Sequence, residues 1–337
     1  MGCVLLTGGF GYIGSHTATI LAEKNIDFVV YDNFGNSKRD VIEKLEIITK
    51  RKINYEIGDI RDKEKLIKVI KKYKVVSVIH FAALKSVENS ILSPLEYYEN
   101  NVGGTINLLY AMRITGVKRL LFSSTAAIYG EPEYCPIDEN HPLRSLNPYG
   151  NTKLIVERIL SDIFVNEKDW SILCLRYFNP VGAHPTGLIG DDPLKDKAKN
   201  LMPAIIKVAN GFNEFVDVFG NDYNTHDGSC IRDYIHIMDL ALAHVVSVDF
   251  LEKDNIFEVF NIGTGYGVSV FELINKFEEV SGLKVPTKIS SRRAGDASCC
   301  YADASKAKQI LNWEANLDLK DMCLSSWNFA KKINLNE

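Results

Sequence analysis

Through the first half of the chain, short apolar runs alternate with segments whose hydrophobic residues recur every three or four positions. The runs "CVLLTG", "IDFVVYD", "INYEIGD", "VSVIHFA", "RLLFSST" and "WSILCLRYFN" read as six strands. Between them, "YIGSHTATILAEKN" and "TINLLYAMRITG" carry helical spacing. Such alternation predicts a parallel sheet with crossover helices, an α/β fold of the Rossmann type, doubly wound. A Gly- and Pro-rich stretch, "NPVGAHPTGLIGDDP", then breaks the rhythm and reads as a long functional loop. Past it come the helical patterns "MPAIIKVAN", "MDLALAHVVSVDFLEK" and "SVFELINKFEEVSG" with two strands, "FVDVFG" and "FEVFNIG", which suggest a smaller mixed α/β portion.

Two local patterns carry chemistry. In "LLTGGFGYIGSH", Gly8, Gly11 and Gly14 fall between the first strand and its helix, where bare backbone can approach a pyrophosphate and the helix N-terminus can meet its charge. Asp32 closes the second strand, placed to accept from adenosine ribose hydroxyls and to repel a 2′-phosphate. NAD is therefore expected rather than NADP, with Lys38 and Arg39 nearby as the opposing signal. In "LNPYGNTK", Asn147 is a good N-cap and Pro148 a good first helical residue. Tyr149 and Lys153 then share a helix face at i,i+4, with Ile155, Ile159, Leu160, Ile163 and Phe164 expected as the buried stripe. A free tyrosine has a pKa near ~10, so the spacing predicts a phenol whose pKa the adjacent ammonium lowers, standing beside a hydride acceptor. Alone, Tyr-x-x-x-Lys also fits a solvated surface pair; the upstream Gly turn tips the balance. Ser123, Ser124 and Thr125 end the fifth strand, at the edge where α/β sheets bind ligands. One hydroxyl there can relay a proton to Tyr149, and strand-end capping accounts for the others.

At 337 residues the chain exceeds one usual hydrophobic core. It is 46% hydrophobic and 24% charged with a net charge of −4, so neither nucleic acid nor an anionic membrane is an expected partner. The basic run "DKEKLIKVIKKYK" carries Leu66, Ile67, Val69 and Ile70 at helical spacing and reads as a solvated helix. Seven cysteines, an odd number without a C-x-x-C pair, fit a reducing cytoplasm. The apolar start lacks a basic n-region, has Leu6 where a myristoylation signal wants Ser or Thr, and reads as a first strand. No apolar run approaches the length of a membrane span. His80, His184 and His236 lack metal-ligand spacing, so no metal is expected.

The blocks "TGGFGYIGSH", "DNFGNSKR", "VIHFAALKSV", "FSSTAAIYG", "PYGNTK", "LRYFNPVGAHPTG" and "DGSCIRDYIHIMDLA" together resemble the UDP-glucose 4-epimerases of the extended short-chain dehydrogenase/reductase family, over nearly the whole chain. The resemblance implies an NAD-binding Rossmann domain over residues 1–180 and a mainly UDP-sugar-binding domain over 181–337, some of whose segments return to the first. It implies that Gly8, Gly11, Tyr12, Ile13 and Gly14 cradle the NAD pyrophosphate, with Asp32, Asn33, Asn36 and Ser37 on the adenosine side. Asp59 and Ile60 would face the adenine. Phe81, Ala82, Ala83, Lys85 and Asn100 would line the cofactor further along, and Thr125, Tyr149 and Lys153 would be the catalytic group. Lys85, Thr125 and Tyr149 would also meet the substrate. Tyr177, Phe178 and Asn179 would lie where cofactor meets sugar nucleotide. Asn200, Leu201, Val218, Phe219, Arg232, Arg293 and Asp296 would hold UDP, a role that suits the arginine fork; for Arg232 a salt bridge to Asp233 is the structural alternative.

The implied activity is reversible epimerisation at C4 of UDP-galactose and UDP-glucose through a 4-keto intermediate, by a homodimer packed through helices of the nucleotide domain. Two positions depart from the best-known bacterial pattern: Thr125 stands where it has Ser, and Cys300 where many epimerases have a bulky Tyr bordering the hexose. The smaller side chain implies room for N-acetylated sugars, hence UDP-GalNAc and UDP-GlcNAc. One rival is a nucleotide-sugar dehydratase, but such relatives carry Asp-Glu after the hydroxyl residue, where this chain has Ala126 and Ala127. Another is a catalytically dead NAD-sensing regulator, which would usually lack the Tyr or the Lys.

Overall fold

The fold is given by a computed structural model that describes residues 2–194, 200–293 and 296–333. In the first half, β1 (Cys3–Thr7), α1 (Tyr12–Glu23), β2 (Phe28–Asp32), α2 (Asp40–Thr49), β3 (Tyr55–Ile57), α3 (Lys63–Lys72) and β4 (Val75–His80) follow in the expected alternation. Helices α4 (Val87–Leu92) and α5 (Pro94–Tyr97) lead through a π-helical turn, Tyr98–Gly103, into α6 (Gly104–Thr115). Next come β5 (Arg119–Thr125), α7 (Pro148–Asn166), β6 (Ser171–Tyr177), β7 (Asn179–Val181), α8 (Leu201–Ala209) and β8 (Val216–Phe219). Strands β9 (Ile231–Arg232) and β10 (Tyr234–His236) precede α9 (Ile237–Phe250), β11 (Phe257–Ile262), β12 (Val268–Ser269) and α10 (Val270–Ser281). The remaining elements are β13 (Thr287–Ser290), β14 (Cys299–Cys300), α11 (Ser305–Leu311) and α12 (Leu319–Lys332).

Seven strands form one parallel sheet in the order β11-β6-β5-β4-β1-β2-β3. All six strands read from the first half are in it. The seventh, β11, is the "FEVFNIG" run of the second half, paired with β6 over its whole length. Alternate residues serve opposite faces, as the pleat requires. Val4, Leu6, Val30, Leu121 and Phe260 enter the layer that α1 and α9 cover. Leu5, Val29, Leu120, Phe122 and Ile172 enter the layer under α3, α6 and α7. Because β1 lies between β2 and β4, the winding direction reverses there, and a crevice opens beyond the C-terminal ends of those strands.

Local signals at the helix ends behave as their chemistry dictates. Asn147 Oδ1 accepts from the Gly150 amide at 2.9 Å with Pro148 as the first helical residue of α7. Ser269 and Glu272 form a reciprocal capping box on α10, which stops at Gly282 in a left-handed conformation, φ 73°. The buried face of α7 differs from the expected aliphatic stripe. Lys153, Val156, Glu157 and Leu160 are buried, Ile159, Ile163 and Phe164 pack half-buried against the same core cluster, and Ile155 is half-buried. Two charged residues replace hydrocarbon there because the β5 and β6 ends beneath them carry polar partners, as the site shows.

The second half forms its own apolar cluster from Met202, Ile205, Val216, Leu273, Phe277 and Met322. It is edged by the β13–β8 pair and the β12-β9-β14 ribbon. The loop after β6 contains β7, which pairs with β10, and a bridge between Ala183 and Gly190. Since Phe260 of β11 is fully buried within the sheet core, Phe260→Ala is expected to lower unfolding stability by about 3–5 kcal/mol in urea titration. A loss below about 1 kcal/mol would show that β11 does not belong to that core.

Candidate active site

The glycine turn lies at the crevice and leaves no room for side chains. Gly8 has φ +68°, and a Cβ on it would meet the Ala82 amide nitrogen at 2.7 Å. A Cβ on Gly14 would meet Gly9 Cα at 2.6 Å. Such a close approach of backbone ahead of a helix N-terminus is what a pyrophosphate-binding turn requires. Asp32 is fixed at the end of β2: its Oδ2 accepts from Phe10 N (3.0 Å) and its Oδ1 from Phe34 N (2.8 Å) and Ser37 Oγ (3.2 Å). Asn33 reaches from there to Asp59 Oδ2 at 3.1 Å, so the two segments expected around an adenosine are joined. Arg61 grips Asp59 with two nitrogens at 2.8 and 2.9 Å, which holds that carboxyl well below its usual range. Asn36 is exposed beside this group, Ile60 is buried under it, and the chain around Ile13 is half-buried. The Tyr12 phenol is buried, its Oη donating to Gly182 O at 2.7 Å in the loop after β7.

Further along the sheet edge, Phe81, Ala82 and Ala83 follow β4 half-buried, and Lys85 is exposed. Asn100 donates to Asn101 Oδ1 at 2.9 Å. Asn101 itself is buried and ties Leu84 to Thr152 of α7, a brace between the two sides of the cleft.

The predicted catalytic group converges. The Thr125 hydroxyl at the end of β5 is hydrogen-bonded to the Tyr149 phenol, which favours the phenolate, and Lys153 Nζ donates to Ser123 O at 2.7 Å. Tyr177, one strand over, is hydrogen-bonded to Ser123 and lies near Tyr149. Its hydroxyl also pairs with His244 Nε2. Because His244 Nδ1 sits 2.8 Å from the Leu240 carbonyl, which can only accept, the proton is on Nδ1 and Tyr177 donates to Nε2. Tyr177 thus orients its neighbours and has no free proton to exchange. The expected lowering of the Tyr149 pKa is reversed among the protein's own groups: burial pushes the phenol up to about 12 and the Lys153 ammonium down to about 7. Desolvation disfavours both charged forms, and the ammonium spends a donor on Ser123 O.

At the far end, the residues expected around UDP gather beside β8 and β14. Arg232 Nη1 donates to Ala297 O at 2.8 Å, and its Nη2 faces Asp296 Oδ1 at 3.5 Å. The alternative partner, Asp233, is instead buried and accepts from Thr264, Gly265 and Ala302. The Arg293 guanidinium lies 3.7 Å from the Phe219 ring centroid. Val218 is buried behind it, and Asn200 and Leu201 open α8 at the surface. Cys300 pairs with Arg232 across β14 and β9 and packs on the cluster of Ala126, Leu154 and Phe178, while Asn179 is exposed. Of the three histidines read as structural, His80 sits between Thr7 and Thr105, His184 meets Thr186, and His236 caps α9.

Sequence reasoning missed Glu157, Arg176, Asn101 and His244, all buried polar residues of this region. Of these only Glu157 left a trace, being one turn beyond Lys153 on the same helix.

The chain matches a family model described as GDP-mannose 4,6 dehydratase over residues 5–325. It is 46% identical over 326 residues to a UDP-glucose 4-epimerase of Bacillus subtilis, covering 97% of this chain and 96% of its relative. With the human UDP-glucose 4-epimerase it shares 44% identity over 336 residues, 98% of this chain and 96% of that one. Among solved structures, a UDP-glucose 4-epimerase from Stenotrophomonas maltophila with bound NAD and formylated UDP-arabinopyranose superposes with a TM-score of 0.98 at 43% identity, covering all of both chains. A UDP-Glc/GlcNAc 4-epimerase from Campylobacter jejuni superposes with a TM-score of 0.86 at 36% identity, covering 98% of this chain and 100% of that one.

The Lys153 environment gives a stability test. An amine with a folded pKa of about 7 and an ordinary value of 10.5 costs stability wherever the unfolded chain is protonated. The cost is full below the folded value and fades as pH rises through that window. Lys153→Met should therefore raise unfolding stability most near about pH 6, with a gain that shrinks toward about pH 10 in denaturant titrations. A gain independent of pH would show that Lys153 is not desolvated.

Proposed function

We propose roles for these residues on the premise that decides them: the chain belongs to the UDP-glucose 4-epimerases of the extended short-chain dehydrogenase/reductase family. It is an enzyme, an isomerase that interconverts UDP-galactose and UDP-glucose at C4 with NAD as its cofactor. The observation that carries the site assignment is the bond of Tyr149 to Thr125 with Lys153 bound to the Ser123 carbonyl two residues away, at the C-terminal edge of the sheet beside a glycine turn without room for a Cβ on Gly8 or Gly14. Gly8, Gly11 and Gly14 would admit the pyrophosphate, and Asp32 would accept from the adenosine ribose. NAD held there would supply a reversible hydride acceptor for C4 of the sugar.

Tyr149 removes the proton of the 4-hydroxyl, and Thr125, already hydrogen-bonded to the phenol, holds its oxygen toward that proton. Lys153 stabilises the phenolate once the site is loaded. Arg232, Arg293 and Asp296 grip the nucleotide, while the hexose end lies toward the apolar cluster of Ala126, Leu154 and Phe178. A firm hold on UDP and a loose one on the sugar lets the oxidised hexose present its other face. Dehydration, which the family model's description names, would need an acid and a base after Thr125; Ala126 and Ala127 supply neither. We assign residues 1–180 chiefly to NAD and 181–337 mainly to the sugar nucleotide, with β11 and its neighbours returning to the sheet. A reducing cytoplasm suits the seven free cysteines.

Cys300 in place of a bulky ring leaves space for an acetamido group, so UDP-GalNAc and UDP-GlcNAc are further substrates. The name of the Campylobacter jejuni relative supports that reading. A homodimer is the assembly, supported by Leu95, Ile114 and Val165, which stay exposed on α5, α6 and α7 at 83%, 57% and 63%.

Purified protein with UDP-galactose and no added NAD should form UDP-glucose, and Tyr149→Phe should lower kcat by about 10²–10⁴-fold. Absence of turnover by folded protein, with or without NAD, would sink the epimerase reading; conversion of UDP-galactose but not of UDP-GlcNAc at high enzyme concentration would sink only the second substrate pair. Sedimentation velocity should show a dimer, and a monomer at micromolar concentration would refute the assembly.

A further inference from the structure

Three residues on successive turns of α7 meet the last three residues of β5. Tyr149 bonds Thr125, Lys153 Nζ donates to Ser123 O, and Ser124 Oγ donates to Glu157 Oε1. The first two contacts belong to the catalytic group, and the third has no assigned role. Glu157 is buried and is held in two-pronged fashion by Arg176, whose Nε lies 3.1 Å from Oε1 and whose Nη2 lies 2.7 Å from Oε2. Arg176 is equally buried, and in the sheet it is the register partner of Ser124 on one side and Asn261 on the other. Its Nη1 donates to Tyr129 Oη at 2.9 Å, Tyr129 donates to Asn261 Oδ1 at 2.6 Å, and Asn261 Nδ2 donates to Ile137 O at 2.8 Å. A single level of β5, β6 and β11 is thereby tied to α7 through one carboxylate.

A buried ion pair is a poor source of stability, since apolar residues of equal volume do as well or better, so its directional hydrogen bonds are the better account of its presence. We propose that Glu157, locked by Arg176 and Ser124, is a positioning residue that fixes α7 on the ends of β5 and β6 and so sets where the Tyr149–Lys153 pair stands. The assay of this role rests on the epimerase reading. The same carboxylate is the nearby anion that favours the Lys153 ammonium against its burial. The other titratable groups facing the pair are His80 of β4, held neutral by burial, Tyr97 of α5, and Tyr177 and Arg176 of β6. None of these is a carboxylate, so Glu157 has no substitute.

Glu157→Gln keeps volume and an acceptor but removes the charge; Glu157→Asp keeps the charge and shortens the reach. In folded E157Q, kcat should fall about 10- to 100-fold while KM for UDP-galactose moves less than about twofold. The alkaline limb of the kcat profile should also shift to lower pH, because Lys153 loses the anion that favours its ammonium. E157D should keep the wild-type limb and recover part of kcat. An unchanged kcat in folded E157Q, or a kcat loss with an unmoved limb, overturns the role. Should E157Q fail to fold, E157D decides, and wild-type kcat in that variant overturns it. If the unmodified protein folds but converts no UDP-galactose, the epimerase reading fails by itself. Proton titration of ¹³C-lysine-labelled protein then tests the inference alone: the Lys153 midpoint should move down in E157Q, and an unmoved midpoint overturns it.

Discussion

A parallel sheet holds together only if both of its faces are covered, and this constraint governs the rest of the molecule. Each strand here is connected to the next by chain that must cross a face, so helices occupy both sides and the C-terminal edge is left as the open border. The order β11-β6-β5-β4-β1-β2-β3 turns about β1, and the crevice falls where the glycine turn and the ends of β4 and β5 meet. Chemistry collects at that border because there alone can side chains from several strands point at a common ligand without breaking the packed layers.

The same packing makes the proposed catalytic group expensive. Lys153 lies in a helix face that elsewhere would be hydrocarbon, and burial drives both it and Tyr149 toward their neutral forms. Each polar contact in the vicinity reads as compensation for that desolvation: Ser123 O for the ammonium, Thr125 for the phenol, Glu157 and Arg176 for each other. A site whose charged states are disfavoured at rest is poised to gain from positive charge brought by a cofactor, because in a dry pocket that charge acts with little screening.

Local chemistry was legible along the chain wherever it depends on neighbours in sequence. The six early strands, the cap at Asn147, the tight turn at Gly8 and Gly14, and the Tyr149–Lys153 spacing all stand as the residue pattern implies, since each is a short-range consequence of period, steric freedom or helical geometry. On α7, Ile159, Leu160, Ile163 and Phe164 pack on the sheet core as their spacing implies, but the buried face also holds Lys153 and Glu157, which the apolar pattern does not reveal. Their burial depends on Ser123, Ser124 and Arg176, which arrive from other strands.

The sequence by itself determined the elements, their alternation, the glycine turn and the i,i+4 spacing of Tyr149 and Lys153, because backbone sterics and helix periodicity act within a few residues. Only the tertiary structure decided that β11 closes the sheet beside β6, that Arg232 meets Asp296 rather than Asp233, that Tyr177 donates to His244, and that one buried carboxylate joins three strands to α7. These pairings join residues 19 to 85 positions apart, and hydrogen-bond partners at that separation are chosen by which strands the folded sheet sets side by side.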